Sequence, residues 1–354
     1  MKKLMCLMIA LLMLPCAALA WEMGEPVPDD GQPDVFCGLS QQQVDEMFAD
    51  TLNGLFTGET KEEIVRQGIG GEFGFHFPDM LWWEGKYWAY YITYNTPTGK
   101  GGVGLATSEN GLDWEDQGCV IPPDADWDMN GAYFAGVWHD TDGTFYCAYE
   151  CKGGEDTEYG VLENIALAVS SDGVHWEKEG VILYKKSSRS WQKLNIGTPD
   201  LYKAGDMWYL TFHGYSGSTC QISVAHGEDL HSLTMEAGPR IRTKRDTRWS
   251  GTTGRRDVMY AGGYYYMVYE ISTLPMGYNG FADAKWSHMF ARSTDMINWE
   301  ITEGPQLIQM VNGEEVKGFG YDGPCWIVLG DQLCVMMREG GSTTAVALNY
   351  EKAE

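Results

Sequence analysis

Positive charge is scarce in this sequence. Its 354 residues carry 25 lysines and arginines against 50 aspartates and glutamates, a formal net charge of −25 at pH 7. A surface that acidic repels the phosphates of nucleic acid and of anionic membranes, so neither is expected as a partner, while a neutral ligand is tolerated. Long apolar runs are missing too. Leu4 to Leu14 is too short to cross a bilayer, and no later segment is apolar enough to do so, so no transmembrane segment is expected. The short run follows Lys2 and Lys3 and precedes Ala17-Ala18-Leu19-Ala20, a small-x-small cleavage pattern. Residues 1–20 therefore read as a secretory signal peptide, and the protein is expected to be secreted or periplasmic. Cys16 offers a site for a lipid anchor, but Pro15 directly before it fits that signal poorly.

Cysteine gives no framework. Beyond the signal stand Cys37, Cys119, Cys147, Cys151, Cys220, Cys325 and Cys334, irregularly spaced and without a C-x-x-C pattern. That excludes the common zinc motifs, and an odd number leaves at least one thiol unpaired. They read as small core residues, with room for one or two disulfides. Cys147 and Cys151 share one face of a strand and lie too far apart along it to bond each other.

What the chain does have is a repeat. Ser108-Glu109-Asn110-Gly111-Leu112-Asp113-Trp114, Ser170-Ser171-Asp172-Gly173-Val174-His175-Trp176 and Ser293-Thr294-Asp295-Met296-Ile297-Asn298-Trp299 share one turn pattern. A degenerate copy runs from Ala225 to Leu233. Upstream of each lies a hairpin of short aromatic and β-branched strands, turning at Glu84-Gly85, Asp142-Gly143, Gly205-Asp206 and Gly262-Gly263, and a fifth turns at Gly330-Asp331. The landmarks Asp79, Gly136, Asp200, Asp257 and Asp322 repeat every 57 to 65 residues. Four short antiparallel strands at that period predict an all-β, five-bladed β-propeller over residues 68–354. The fifth blade runs out after its third strand, so its fourth is expected from the N-terminal side, near Gly68 to Phe75. Residues 21–67 are an arm and a helix, Gln41 to Leu55, with Ser40 as N-cap. A monomer is expected.

Strand direction then picks out one face. The inner strands begin at His76, Asp79, Asp200, Asp257 and Asp322. The second strands return to the same end at Tyr94-Asn95, Glu150, His213, Glu270 and Arg338-Glu339. Every blade thus places polar or ionisable side chains at one end of the central channel, while the strand bodies between are mostly apolar. Crowded carboxyl groups raise one another's pKa, and a pair of them, one protonated and one ionised, can cleave a glycosidic bond. Aromatics nearby, Trp82 and Trp138 among them, could stack against sugar rings, whereas Trp114, Trp176 and Trp299 belong to the repeat and read as packing.

The five hairpins, the Ser-x-Asp-Gly-x-x-Trp turns and the pairs Pro78-Asp79 and Pro199-Asp200 resemble the five-bladed propeller glycosidases, chiefly glycoside hydrolase family 43 and its relatives, over about residues 70 to 350. The resemblance implies a general base at Asp79 and a pKa-tuning aspartate at Asp200. It implies a glutamic acid opening the fourth blade, where this chain holds Arg255-Arg256-Asp257. Glu270 is then the first candidate acid, with Asp257 next and Glu150 and Glu339 in reserve. His76, Trp82, Trp138, Glu150, His213, Arg256, Asp322 and Arg338 are candidate substrate-binding residues. A structural calcium ion is allowed by the resemblance, but no ligand spacing demands a metal, and no cofactor is required. The expected substrate is a carbohydrate, arabinose- or xylose-containing by the family's leaning. Two other readings stand beside hydrolysis. One is a non-catalytic carbohydrate-binding propeller. The other is a hydrolase or phosphorylase for anionic sugars using the seven bases between Arg240 and Arg256.

Overall fold

The computed structural model describes residues 23–26, 36–70, 75–156, 160–186, 188–242, 251–273, 285–303, 310–311, 314–315, 320–339 and 342–351. Each hairpin seen in the sequence forms, and each extends outward into a four-stranded antiparallel blade in simple sequential order. Blade 1 holds Asp79–Trp83, Lys86–Thr93, Gly102–Ser108 and Glu115–Ile121. Blade 2 holds Gly131–His139, Phe145–Asp156, Gly160–Ser170 and Glu177–Leu183. Blade 3 holds Asn195–Ala204, Met207–Tyr215, Cys220–Gly227 and the short Thr234–Met235. Blade 4 holds Thr253–Ala261, Tyr264–Ser272, Trp286–Ser293 and Glu300–Ile301. Blade 5 holds Tyr321–Leu329, Gln332–Glu339 and Ser342–Tyr350.

The N-terminal side closes the ring, as the missing fourth strand required. The strand that does so is Thr60–Ile69, paired antiparallel with Ser342–Tyr350, and it lies earlier than the Gly68–Phe75 segment expected. Just before it runs the helix Gln41–Thr57. Ser40 caps it in a reciprocal box: its Oγ accepts from Gln43 N–H, while the Gln43 side chain accepts from Ser40 N–H.

The repeated turns are held by their polar side chains. In the Ser170 copy, Ser170 Oγ accepts from the N–H groups of Asp172 and Gly173, and Asp172 Oδ1 accepts from those of Val174 and His175. Trp176 Nε1 donates to Gly173 O, and Trp114 and Trp299 repeat that bond at Gly111 and Met296. The apolar core lies between blades in four clusters around the ring. The seven cysteines among the described residues are free thiols, five of them buried.

One irregularity positions the site. In blades 2, 3, 4 and 5 the pairing of the inner strand with its neighbour skips residues, between Tyr133 and Gly136, Gly197 and Asp200, Thr253 and Arg256, and Asp322 and Cys325. Blade 1 does the same, because Ile92 N–H reaches past Phe77 and Pro78 to His76 O. The skipped residues include Phe77, Phe134 and Thr198 at φ of 53°, 52° and 44°. These bulges divide the channel end into an upper and a lower layer of side chains.

Candidate active site

The lower layer is a buried cluster of opposite charges. Asp79, Asp200 and Asp257 bring carboxylate oxygens within 4.8 Å of one another. Arg255 and Arg256, both fully buried, stand against them. Arg255 Nη2 donates to Asp79 Oδ1 at 2.6 Å, and Arg255 Nη1 donates to Pro199 O at 2.8 Å, so one guanidinium spans blades 1 and 3. Val137 N–H donates to Asp79 Oδ2, and Trp326 N–H to Asp257 Oδ2, each at 2.6 Å. These two aspartates therefore tie one blade's inner strand to the next. Arg256 Nη2 donates to Thr198 Oγ1 at 2.5 Å and its Nε to Gly254 O at 3.0 Å.

Three acids meet two cations here, so they cannot all ionise cheaply. Burial pushes Asp200 well above the usual carboxylate range, with Asp257 and Asp79 adding repulsion. Burial likewise raises Asp257 to about 7. Asp79 is pushed up by burial, against the pull of Arg255 and Val137 N–H. Burial opposes the charge on Arg255, but Asp79, Asp200 and Asp257 outweigh it and hold the guanidinium firmly protonated. This cluster does not suit calcium. That ion takes six to eight oxygens, whereas Asp79 and Asp257 already answer guanidinium and amide donors and two guanidinium charges stand against the cluster.

The upper layer opens into a cavity of about 260 Å³. Glu150 and Lys152 from blade 2 line one side, and Glu270 and Asp322 from blades 4 and 5 line the other, with His213 of blade 3 also in the wall. Glu150 Oε2 accepts from Thr198 N–H at 2.9 Å, while its Oε1 lies 4.0 Å from Lys152 Nζ. Lys152 in turn pairs with Glu163 at 2.7 Å. Burial, then repulsion from Glu163, lifts Glu150 to about 8. Glu270 accepts one N–H on each oxygen, from Arg255 and from Gly323, both at 2.8 Å. Burial, then Asp322, lifts it to about 7. Asp322 meets Arg338 through two bonds of 2.9 and 2.8 Å, and Arg338 Nη1 lies 3.0 Å from His76 Nδ1. His213, 2.8 Å from Thr198 Oγ1, is driven down to about 3 by burial and then by Arg256, so it stays neutral.

Of the residues picked out in the sequence, Glu150, His213, Glu270 and Asp322 meet in this cavity, and His76 and Arg338 join it through Asp322. Asp79, Asp200, Asp257 and Arg256 lie in the layer beneath. Trp82 and Trp138 do not line the upper cavity. Both line a cavity of about 80 Å³ toward the opposite end, together with Asp79, Asp200 and Asp257 and beside Phe36 and Cys37. They sit below the bulge, where Trp82 packs on Tyr87 and Trp138 on Tyr202 and Trp208. Among the described residues, the bases of the run from Arg240 are dispersed. Arg240 pairs with Glu236, Arg255 and Arg256 are in the lower layer, and Lys244, Arg245 and Arg248 lie outside the described residues.

Sequence reasoning missed Lys152, Glu163, Asn195, Thr198 and Phe77, all in the cavity wall. A signal existed for Lys152, which stands two residues beyond Glu150 on one strand and so on the same face. Thr198 and Phe77 each precede the Pro-Asp pairs and occupy the skipped positions.

Comparison with known proteins follows the same lines. The profile of the glycosyl hydrolases family 32 N-terminal domain matches residues 78–249. Sucrose-6-phosphate hydrolase of Escherichia coli is 24% identical over 260 residues, covering 67% of this chain and 52% of that protein. The chain thus spans about half the length of that curated relative. Among solved structures, a glycoside hydrolase superposes with a TM-score of 0.62 at 19% identity, covering 89% of this chain and 96% of that one. A thermostable family-43 glycoside hydrolase gives 0.59 at 19% identity, covering 81% and 92%. The sequence match is thus to family 32, while family 43 enters through the fold. The chain is a five-bladed propeller of the kind found in the propeller glycosidases, carrying a family 32 N-terminal-domain match across its first three blades.

Proposed function

We propose that this protein is an exported glycoside hydrolase that cleaves an oligosaccharide or polysaccharide in the upper cavity. One observation carries the reading: buried carboxyl groups line both sides of a single pocket, Glu150 on one and Glu270 with Asp322 on the other. Hydrolysis of a glycosidic bond needs a carboxylic acid and a carboxylate flanking the bond. Raised pKa values keep such a group protonated near neutral pH, and both Glu150 and Glu270 are raised. Phe77 and Phe134, 5.0 Å apart and edge to face, add an apolar patch to the same wall for the face of a sugar.

The relatives' names suggest where to look for the substrate. They include a sucrose-6-phosphate hydrolase and, among structures, an exo-1,5-α-L-arabinanase. Sucrose, its 6-phosphate, raffinose, arabinan and arabinoxylan fragments therefore form the first panel, which also tests the arabinose or xylose expectation. Purified protein should release free sugar from at least one of them, measured by anion-exchange chromatography. Binding without any release across a broad glycan panel would support the non-catalytic reading instead. Export rests on residues 1–20 and is tested by finding the mature chain outside the cytoplasm with Trp21 at its N-terminus.

A further inference from the structure

Given the hydrolase reading, on which this inference rests, the reacting pair can be assigned. We propose that Glu150 is the proton donor and Glu270 the base, and that Asp79, Asp200 and Asp257 form the electrostatic floor beneath them. The two glutamates hold corresponding places on the second strands of blades 2 and 4, and both line the upper cavity. The three aspartates lie below the bulge, where Arg255 and the amides of Val137 and Trp326 occupy oxygens of Asp79 and Asp257, and Arg255 and Arg256 act on Asp200 through their charge.

The two carboxyl groups are bonded differently, and the difference sets the roles. Glu270 takes one amide N–H on each oxygen, two donors that favour its anion where Glu150 has one. Glu150 takes one amide N–H, on Oε2 alone, so Oε1 is the oxygen that can carry a proton to substrate. The groups facing Glu150 are Glu163 and Lys152 on its own blade, neutral His213 on blade 3, and Arg256 on blade 4. Tyr133, Cys151 and Cys220 nearby are all raised by burial and stay protonated. Beside Glu163, Asn195 Oδ1 is buried with no hydrogen-bond partner among the described residues, an acceptor placed for a substrate hydroxyl.

In the step assigned, the anomeric C–O bond breaks as Glu150 gives its proton to the departing oxygen. Water forms the new bond to the anomeric carbon and gives its proton to Glu270. Solvent returns the proton from Glu270 to Glu150, and the net reaction consumes one water.

The test uses the full protein and aryl glycosides of the sugar released in the panel. Glu150→Gln should lose about 100-fold or more in kcat on natural linkages, yet retain most of its rate on a dinitrophenyl glycoside, which needs no protonation to leave. Glu270→Gln should lose activity on both. In the wild type, the basic limb of the kcat/KM profile should follow Glu150. Lys152→Met removes the cation beside it and should move that limb to higher pH. This second readout does not depend on Glu150→Gln folding. Equal loss by Glu150→Gln on both leaving groups, or a basic limb unmoved by Lys152→Met, overturns the assignment. A wild-type rate in Glu150→Gln also overturns it while leaving the hydrolase reading intact. An inactive wild type removes both.

Discussion

A methyl group added at Gly197 would land 1.9 Å from Glu150 Oε2, and one at Gly254 would land 1.9 Å from Glu270 Oε1. Neither glycine has a left-handed φ, so the backbone does not ask for them; the carboxyl groups do. Gly254→Ala should push Glu270 aside and cut kcat/KM by about 100-fold, the scale set by misplacing a reacting group by about 1 Å. Steady-state kinetics on any substrate from the panel would check it. Arg255 poses the opposite case, a residue whose loss is felt in stability. Arg255→Met would strand Asp79 in the interior without its cation, at a cost of about 3–5 kcal/mol. Urea denaturation should show the midpoint fall accordingly. Residue identities at the strand ends were legible from the sequence, because a period of two and the hairpin turns fix which end each side chain reaches. Depth was not. Asp79 lies only three residues from His76, yet the skipped pair between them puts the two in different layers. Nothing in the residue types of Phe77 or Thr198 announces a positive φ.

At the scale of elements, hairpins declared themselves and outer strands did not. Thr234–Met235 and Glu300–Ile301 are two residues long, too short for any periodicity to show. The closing strand Thr60–Ile69 escaped for another reason. Most of its residues are exposed, because an outermost strand has only one neighbour and a largely wet surface, so it shows no apolar alternation. One of its side chains is nonetheless deeply engaged. Glu62 Oε1 lies 2.9 Å from Nε2 of His288, a fully buried residue on the third strand of blade 4. Glu62→Ala leaves that imidazole without its partner and should cost about 1–3 kcal/mol, while Arg66→Ala on the exposed side should cost close to nothing. Parallel denaturation curves of the two variants would separate them.

For the molecule as a whole, the raised carboxyl groups dictate how stability follows pH. Glu150 at about 8, Glu270 at about 7 and Asp257 at about 7 all hold protons in the folded state that they release when unfolded. Where the folded state binds more protons than the unfolded, stability falls as pH rises. Their contribution is therefore fully present below the ordinary carboxylate range and is lost as pH climbs toward about 8. A melting curve taken every half unit from pH 5 to 8.5 should show a steady decline. Glu150→Gln and Glu270→Gln, which cannot ionise, should flatten it. A melting temperature that rose through this range would contradict the raised carboxyl groups, and with them the proton that Glu150 has to carry.

The N-terminal arm has a consequence for traffic. Gln41 Nε2 donates to Tyr260 O, Asp45 accepts from Gly262 N–H and Cys37 Sγ from Val328 N–H, so this segment is tied to the hairpin end of blades 4 and 5. The charged floor of Asp79, Asp200, Asp257, Arg255 and Arg256 separates the upper cavity from the smaller one at the hairpin end, so the upper cavity is a blind well. A glycan cannot be threaded through and drawn out the far side. Whatever enters must back out by the same mouth, so on the proposed hydrolase reading product departure, and the competition of product with the next substrate, is where turnover would be governed.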